Sequence, residues 1–184
     1  MQKIIFLVGA MGVGKTSLGR GVCEILGIPF FDTDEMAVEN IRVKNPNALR
    51  SLLSFASAMN AELPIVARQL EDIAPPAIIA TGGEFPLNPA CAAYMLKLGV
   101  IINITRLTSN VVSTFEQERA GTLYFTDCNT GEKTFLNEEG AKMYAMESEK
   151  YKCLSKYEVA NDGSFTEGVE ALSKLIKDEW GYKQ

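Results

Sequence analysis

The sequence predicts an α/β protein, a doubly wound sandwich of helices around a mostly parallel sheet, with ligands at the C-terminal strand ends. Two observations carry that expectation. Continuous apolar runs such as Ile4-Ile5-Phe6-Leu7-Val8 and Val100-Ile101-Ile102-Asn103-Ile104 suit strands covered on both faces, as parallel strands are. These runs alternate with longer amphipathic stretches, so strand and helix take turns along the chain. At 184 residues the chain predicts one domain spanning 1–184, long enough to hide about 70% of its unfolded surface.

The first strand, 3–8, is the apolar run itself, and a helix over 15–26 follows a glycine-rich turn. A second strand at 29–32 ends in an Asp-x-Asp sequence and leads into a helix over 34–42. Asn45-Pro46-Asn47 separates that helix from another over 47–73, because proline lacks the N–H a helix interior needs. The third strand, 77–80, precedes Thr81-Gly82-Gly83 and a helix over 88–98. A fourth strand at 100–104 is followed by a helix over 108–119. The stretch 120–137 is rich in Gly, Thr, Asp and Asn without helical periodicity, and reads as a long loop or lid. A helix over 138–153, a strand at 157–160 and a helix over 166–179 complete the order. Thr166 with Glu167 and Glu170 reads as an N-cap followed by acidic first-turn residues.

Composition narrows the chemistry. Hydrophobic residues make up 47% and charged residues 22%, values typical of globular proteins. The net charge of −5, without a dense Lys/Arg run, argues against a nucleic-acid grip. No apolar run approaches the roughly 18 residues of a membrane span. The N-terminal apolar run leads into Gly-Lys-Thr and not into a cleavage site, so a cytoplasmic protein is expected. Cys23, Cys91, Cys128 and Cys153 form no C-x-x-C pair and read as reduced thiols. Histidine is absent, which excludes Ser-His-Asp and Cys-His catalysis and histidine zinc sites. Any proton transfer falls to carboxylate, lysine, tyrosine or thiol.

Gly9-Ala10-Met11-Gly12-Val13-Gly14-Lys15-Thr16 fits the phosphate-loop pattern G-x-x-x-x-G-K-[ST], between a predicted strand and a predicted helix. Gly9, Gly12 and Gly14 let backbone N–H groups turn inward on a phosphate. The helix start at Lys15, Thr16 and Ser17 adds its positive dipole end. Lys15 is expected to span the β- and γ-phosphates of ATP, with Val13 lining the loop and the Thr16 hydroxyl on Mg2+. Along an extended Phe30-Phe31-Asp32-Thr33-Asp34, alternate side chains share a face, so Asp32 and Asp34 would point together at the phosphates. Asp32 is then expected to orient the metal through water, and Asp34 to accept a proton from, or orient, an acceptor hydroxyl. The competing reading makes Asp34 the cap of the helix opening at Glu35.

These motifs, with Glu39 and the Ala80-Thr81-Gly82-Gly83 segment, resemble the shikimate kinase family. The resemblance implies a P-loop kinase three-layer sandwich with a central, mostly parallel five-stranded sheet and a flexible lid at 120–137. It implies a substrate-binding helical region at 34–75, catalysis by Lys15, Asp34 and Arg119, and acceptor contacts from Asp34, Gly82 and Gly83, with Glu84 beside them also expected to face the acceptor. Arg119 is similar to the family's lid arginine. ATP and Mg2+ are the implied ligands, a small hydroxyl compound the acceptor, and a monomer the expected state. Three positions depart from the family. Glu84 stands where a third glycine is usual, Leu63-Pro64 where a Phe-Arg pair grips the substrate carboxylate, and Glu147 where an arginine precedes Tyr151 by four. Arg50, Arg68 and Lys150 are candidate substitutes. Poor activity on shikimate itself is therefore expected. A related kinase acting on a sugar acid, polyol or nucleotide, and a nucleotide-binding pseudokinase, are the competing readings. Retention of Lys15, Thr16, Asp32 and Asp34 argues against the last.

Overall fold

The computed structural model describes residues 3–45, 47, 52–111, 124–126, 133–135 and 138–181. Arg50, Cys128, Arg119 and most of 120–137 lie outside the described residues. Five strands, β1 (Ile4–Val8), β2 (Phe30–Asp32), β3 (Ala77–Ala80), β4 (Gly99–Thr105) and β7 (Tyr157–Ala160), form one sheet in the order β2-β3-β1-β4-β7. Every pairing in it is parallel. All five residues of β1 and all four of β3 are buried, so the uninterrupted apolar runs reflect strands covered on both faces.

Helices α1 (Lys15–Leu26), α2 (Thr33–Lys44), α3 (Leu52–Gln69), α4 (Glu84–Leu87), α5 (Pro89–Leu98), α6 (Glu138–Leu154) and α7 (Phe165–Trp180) surround the sheet. Helix α1 packs with α7, and α3 with α2 and α5. Register brings the strand ends level: Leu7 pairs with Ala80, Val8 with Asn103, and Asp32 with Ala80. The segments leaving β1, β2, β3 and β4 therefore open along one edge of the sheet, where ligands of doubly wound folds bind.

The structure corrects several details. The last helix begins at Phe165, and its N-cap is Ser164, not Thr166. Ser164 and Glu167 form a reciprocal capping box, in which each side chain meets the other's backbone N–H. A serine three residues before a glutamate satisfies two orphan donors, whereas Thr166 already lies inside the helix. Within the 120–137 stretch, Tyr124–Thr126 (β5) and Lys133–Phe135 (β6) pair antiparallel. The aromatic and β-branched residues there favour strand over loop. The short helix α4 was not expected. Pro64 sits inside α3, within the continuous helix expected there. Of the helix expected at 108–119, only 108–111 are described, and they are helical.

Candidate active site

The phosphate loop leaves β1 at Gly9, whose φ of 139° only glycine adopts readily. A Cβ there would lie 2.3 Å from the Ile104 carbonyl oxygen, so the loop presses directly on β4. Gly14, with φ 97°, serves as the N-cap of α1. From the residue just after β7, Asn161 Nδ2 donates to the Val13 carbonyl at 2.8 Å. A Cβ on Gly14 would lie 2.6 Å from that same Nδ2. Asn161 thus fastens the loop's shape from the end of β7. The sequence reading missed it; a polar residue closing the last strand at its C-terminal end is the signal that marks it.

Lys15 Nζ donates to the carbonyls of Gly9 at 2.6 Å and Ala10 at 3.0 Å, which holds the ammonium over the loop's concavity. Burial lowers its pKa to about 8, against the opposing pull of Asp34, Asp32 and Glu147. Ser17 is exposed on the first turn of α1 and Val13 is buried beneath the loop.

The two aspartates meet the loop by a route different from strand alternation. Strand β2 ends at Asp32, and α2 begins at Thr33. Asp32 is the N-cap of α2: its Oδ1 accepts from the Asp34 backbone N–H at 2.9 Å. Its Oδ2 accepts from the Thr16 hydroxyl at 2.8 Å, so one carboxylate ties the starts of two helices together. Asp34, in the first turn of α2, is not the cap. Burial, with Asp32 second, raises its pKa above the usual carboxylate range, and Lys15 pulls the other way.

The segment after β3 closes against Asp34. Gly82 N–H donates to the Thr33 hydroxyl at 2.9 Å, and Thr81 Oγ1 donates to the Leu7 carbonyl at 3.1 Å. A Cβ on Gly82 would stand 1.9 Å from Asp34 Oδ1. Glycine here makes room for the carboxylate. Tyr151, fully buried on α6, donates its hydroxyl to the Gly83 carbonyl at 3.1 Å and so seats α6 beside this segment. One helical turn earlier, Glu147 carries a raised pKa, chiefly from burial and then from the charge of Glu84; Lys150, Lys15 and the Tyr151 hydroxyl oppose the rise. The structure thus gathers Lys15, Thr16, Asp32, Asp34, Gly82, Gly83, Glu84 and Glu147 around one edge of the sheet. Leu63 is buried within α3, and Arg68 is exposed on that helix.

Thr16 and Asp32 offer hard oxygen donors of the kind Mg2+ prefers. Among the described residues no cluster of three or more Asp, Glu, Cys or His side chains could cage an ion. That donor set fits an ion that keeps its waters and shares phosphate oxygens. No helix among the described residues is long and apolar enough to cross a membrane.

Comparison with known proteins agrees with this geometry. The family model described as shikimate kinase matches residues 11–172. A shikimate kinase of Caulobacter vibrioides is 40% identical over 100 residues, covering 54% of this chain and 48% of that protein. The chain spans about half the length of that curated relative. Among solved structures, a shikimate kinase from Bacteroides thetaiotaomicron superposes with TM-score 0.68 at 19% identity, over 96% of this chain and 99% of the other. A shikimate kinase from Acinetobacter baumannii in complex with shikimate gives 0.65 at 17%, over 100% and 96%. These two share the fold. With the family model covering most of its length, the chain belongs to the shikimate kinase family.

Proposed function

We propose that the chain is an ATP-dependent kinase that transfers the γ-phosphoryl group to a hydroxyl of a small-molecule acceptor. The observation that supports it is the convergence of the Lys15 ammonium, the Thr16–Asp32 pair and the Asp34 carboxylate at the mouth of the phosphate loop. In this reading, Lys15 exchanges the Gly9 and Ala10 carbonyls for β- and γ-phosphate oxygens. Thr16 directly, and Asp32 through water, would hold Mg2+, which when bound neutralises charge on the phosphates. Asp34 takes the proton of the acceptor hydroxyl or orients it as the oxygen attacks the γ-phosphorus. The bond to the bridging oxygen breaks, and ADP leaves. The whole chain acts as one domain, with 34–75 on the acceptor side, a lid at 120–137, and Arg119 reaching the phosphates when that lid closes.

The acceptor side carries carboxylates where the family resemblance implies a glycine and an arginine. Glu84 and the half-buried Glu147 flank the pocket wall that Tyr151 holds in place. A carboxylate substrate entering there meets like charge, which favours a less acidic hydroxyl compound over shikimate. ADP release tests both levels, using shikimate, quinate, gluconate and nucleoside monophosphates. Lys15→Ala should abolish turnover with whichever acceptor works, and equal turnover by that variant would sink the kinase reading. A kcat/KM for shikimate of about 10⁴ M⁻¹s⁻¹ or more, an ordinary enzyme value, would refute the altered acceptor alone.

A further inference from the structure

Arg106, the first residue after β4, takes no part in the mechanism above. It lines a cavity of about 240 Å3 between the phosphate loop and α6, together with Ala10 and Val13 of the loop, Thr105, and Ser148 of α6. The Arg106 side chain is partly buried, and its Nε is fully buried without a hydrogen-bond partner among the described residues. A guanidinium stays charged at any ordinary pH, and a buried donor of that strength without an acceptor is costly. Such an orphan in a folded protein calls for a specific explanation.

The backbone around Arg106 is held from both sides. Asn161 N–H donates to the Thr105 carbonyl at 2.8 Å. Leu107 N–H donates to Asp162 Oδ1 at 2.6 Å. Asn161 also binds the Val13 carbonyl, so one short segment after β7 fixes Arg106 relative to the phosphate loop. The carboxylates of Glu158 on β7 and of Asp162 just after it serve other donors. Asp162 takes Leu107 N–H, with Asn110 Nδ2 at 3.4 Å, and Glu158 accepts from Asn103 Nδ2 at 3.2 Å. The Arg106 Nε is thus a rigidly placed donor beside a phosphate loop, with no acceptor among the described residues.

Resting on the phosphotransfer reading, we propose that Arg106 donates to the terminal phosphoryl group of the bound nucleotide. The cavity runs from the loop toward α6, where Ser148 adjoins Glu147 of the acceptor wall. On this proposal the phosphoryl group that Arg106 meets is the one in transfer, on the α6 side of the loop, and not those nearer the start of α1. An arginine fork suits phosphate oxygens and needs no rearrangement of a frame already tied at Thr105 and Leu107.

The test is calorimetric titration of the full chain and of Arg106→Gln with ADP and with a non-hydrolysable ATP analogue, both with magnesium. Loss of a charge-assisted bond should weaken the analogue about 10- to 100-fold, with ADP changed less than about threefold. Arg106→Lys, which keeps the charge and loses the fork, should show a smaller loss in the same direction. If Arg106→Gln does not fold, the comparison is read on Arg106→Lys. Equal affinities for the analogue in parent and variant would overturn the proposal, as would equal losses for ADP and analogue with a lowered melting temperature. A parent that binds neither nucleotide would overturn the phosphotransfer reading and this role with it. A parent that binds both, alongside variants that do too, overturns this role alone.

Discussion

Gly82→Ala isolates the acceptor carboxylate from everything else in the site. The added methyl would stand 1.9 Å from Asp34 Oδ1 and 2.6 Å from its Cγ, against 3.4 Å for ordinary contact. Oδ1 must therefore move by about 1.5 Å, or the 82–83 segment must shift with it. Backbone strain adds nothing, because Gly82 is outside the positive-φ glycines. The bond from Gly82 N–H to Thr33 Oγ1 uses backbone and survives the change. A misplacement of about 1 Å in a reacting group costs on the order of 10²-fold in rate, so kcat should fall by about that factor. Nucleotide affinity should hold, since the loop and Lys15 are untouched. Steady-state ADP release gives kcat, and calorimetric titration with ADP gives affinity. In an Asp34→Asn background the same methyl should lower kcat little further, because both changes act through one carboxylate. A Gly82→Ala enzyme with kcat within about threefold of the parent would refute the placement of Asp34 at the reacting hydroxyl.

Asn161→Ala leaves the buried Val13 carbonyl without its side-chain donor, at a cost of about 1–3 kcal/mol, and should weaken ADP binding; urea unfolding and titration check both. Phosphate binding needs charged Lys15, whose pKa in the nucleotide-free protein is lowered to about 8. ADP affinity should therefore decline as pH rises through about 8, and a flat profile from pH 6.5 to 9.5 would contradict this. Because the Asp34 pKa is raised, the acid limb of kcat/KM should lie above the usual carboxylate range and vanish in Asp34→Asn, as a pH–rate profile will show. Arg119→Ala should lower kcat more than it raises the KM for ATP, which initial-rate kinetics will separate.

Much of the architecture is legible in the sequence because it is local. The apolar runs marked the inner strands of the main sheet, Tyr157–Ala160 gave a weaker signal at its edge, and the loop pattern marked Lys15 and Thr16. Asp32 and Asp34 were also legible as residues, yet their arrangement was not. Strand alternation would have turned them to one face, whereas helix capping by Asp32 sets their geometry. The cap at Ser164 was obscured by a second hydroxyl two residues on, and the β5–β6 pair by turn-forming residues around it.

Periodicity in a sequence reports which side chains face the core, since burial repeats with the geometry of one element. It carries no information on which distant residues meet. Asn161 reaches Val13 across 148 residues, Gly82 reaches Thr33 across 49, and Tyr151 reaches Gly83 across 68. Those meetings depend on the order β2-β3-β1-β4-β7 and on the register that levels the strand ends. The sequence by itself determined the strands of the main sheet, the phosphate loop and the residue types available for chemistry. Only the tertiary structure decided that Gly82 makes room for Asp34, that Asn161 holds the loop, and that Arg106 stands beside it with a buried donor unmet among the described residues. Each of these is a contact between crossovers, set by how parallel strands stack and not by any neighbour in the chain.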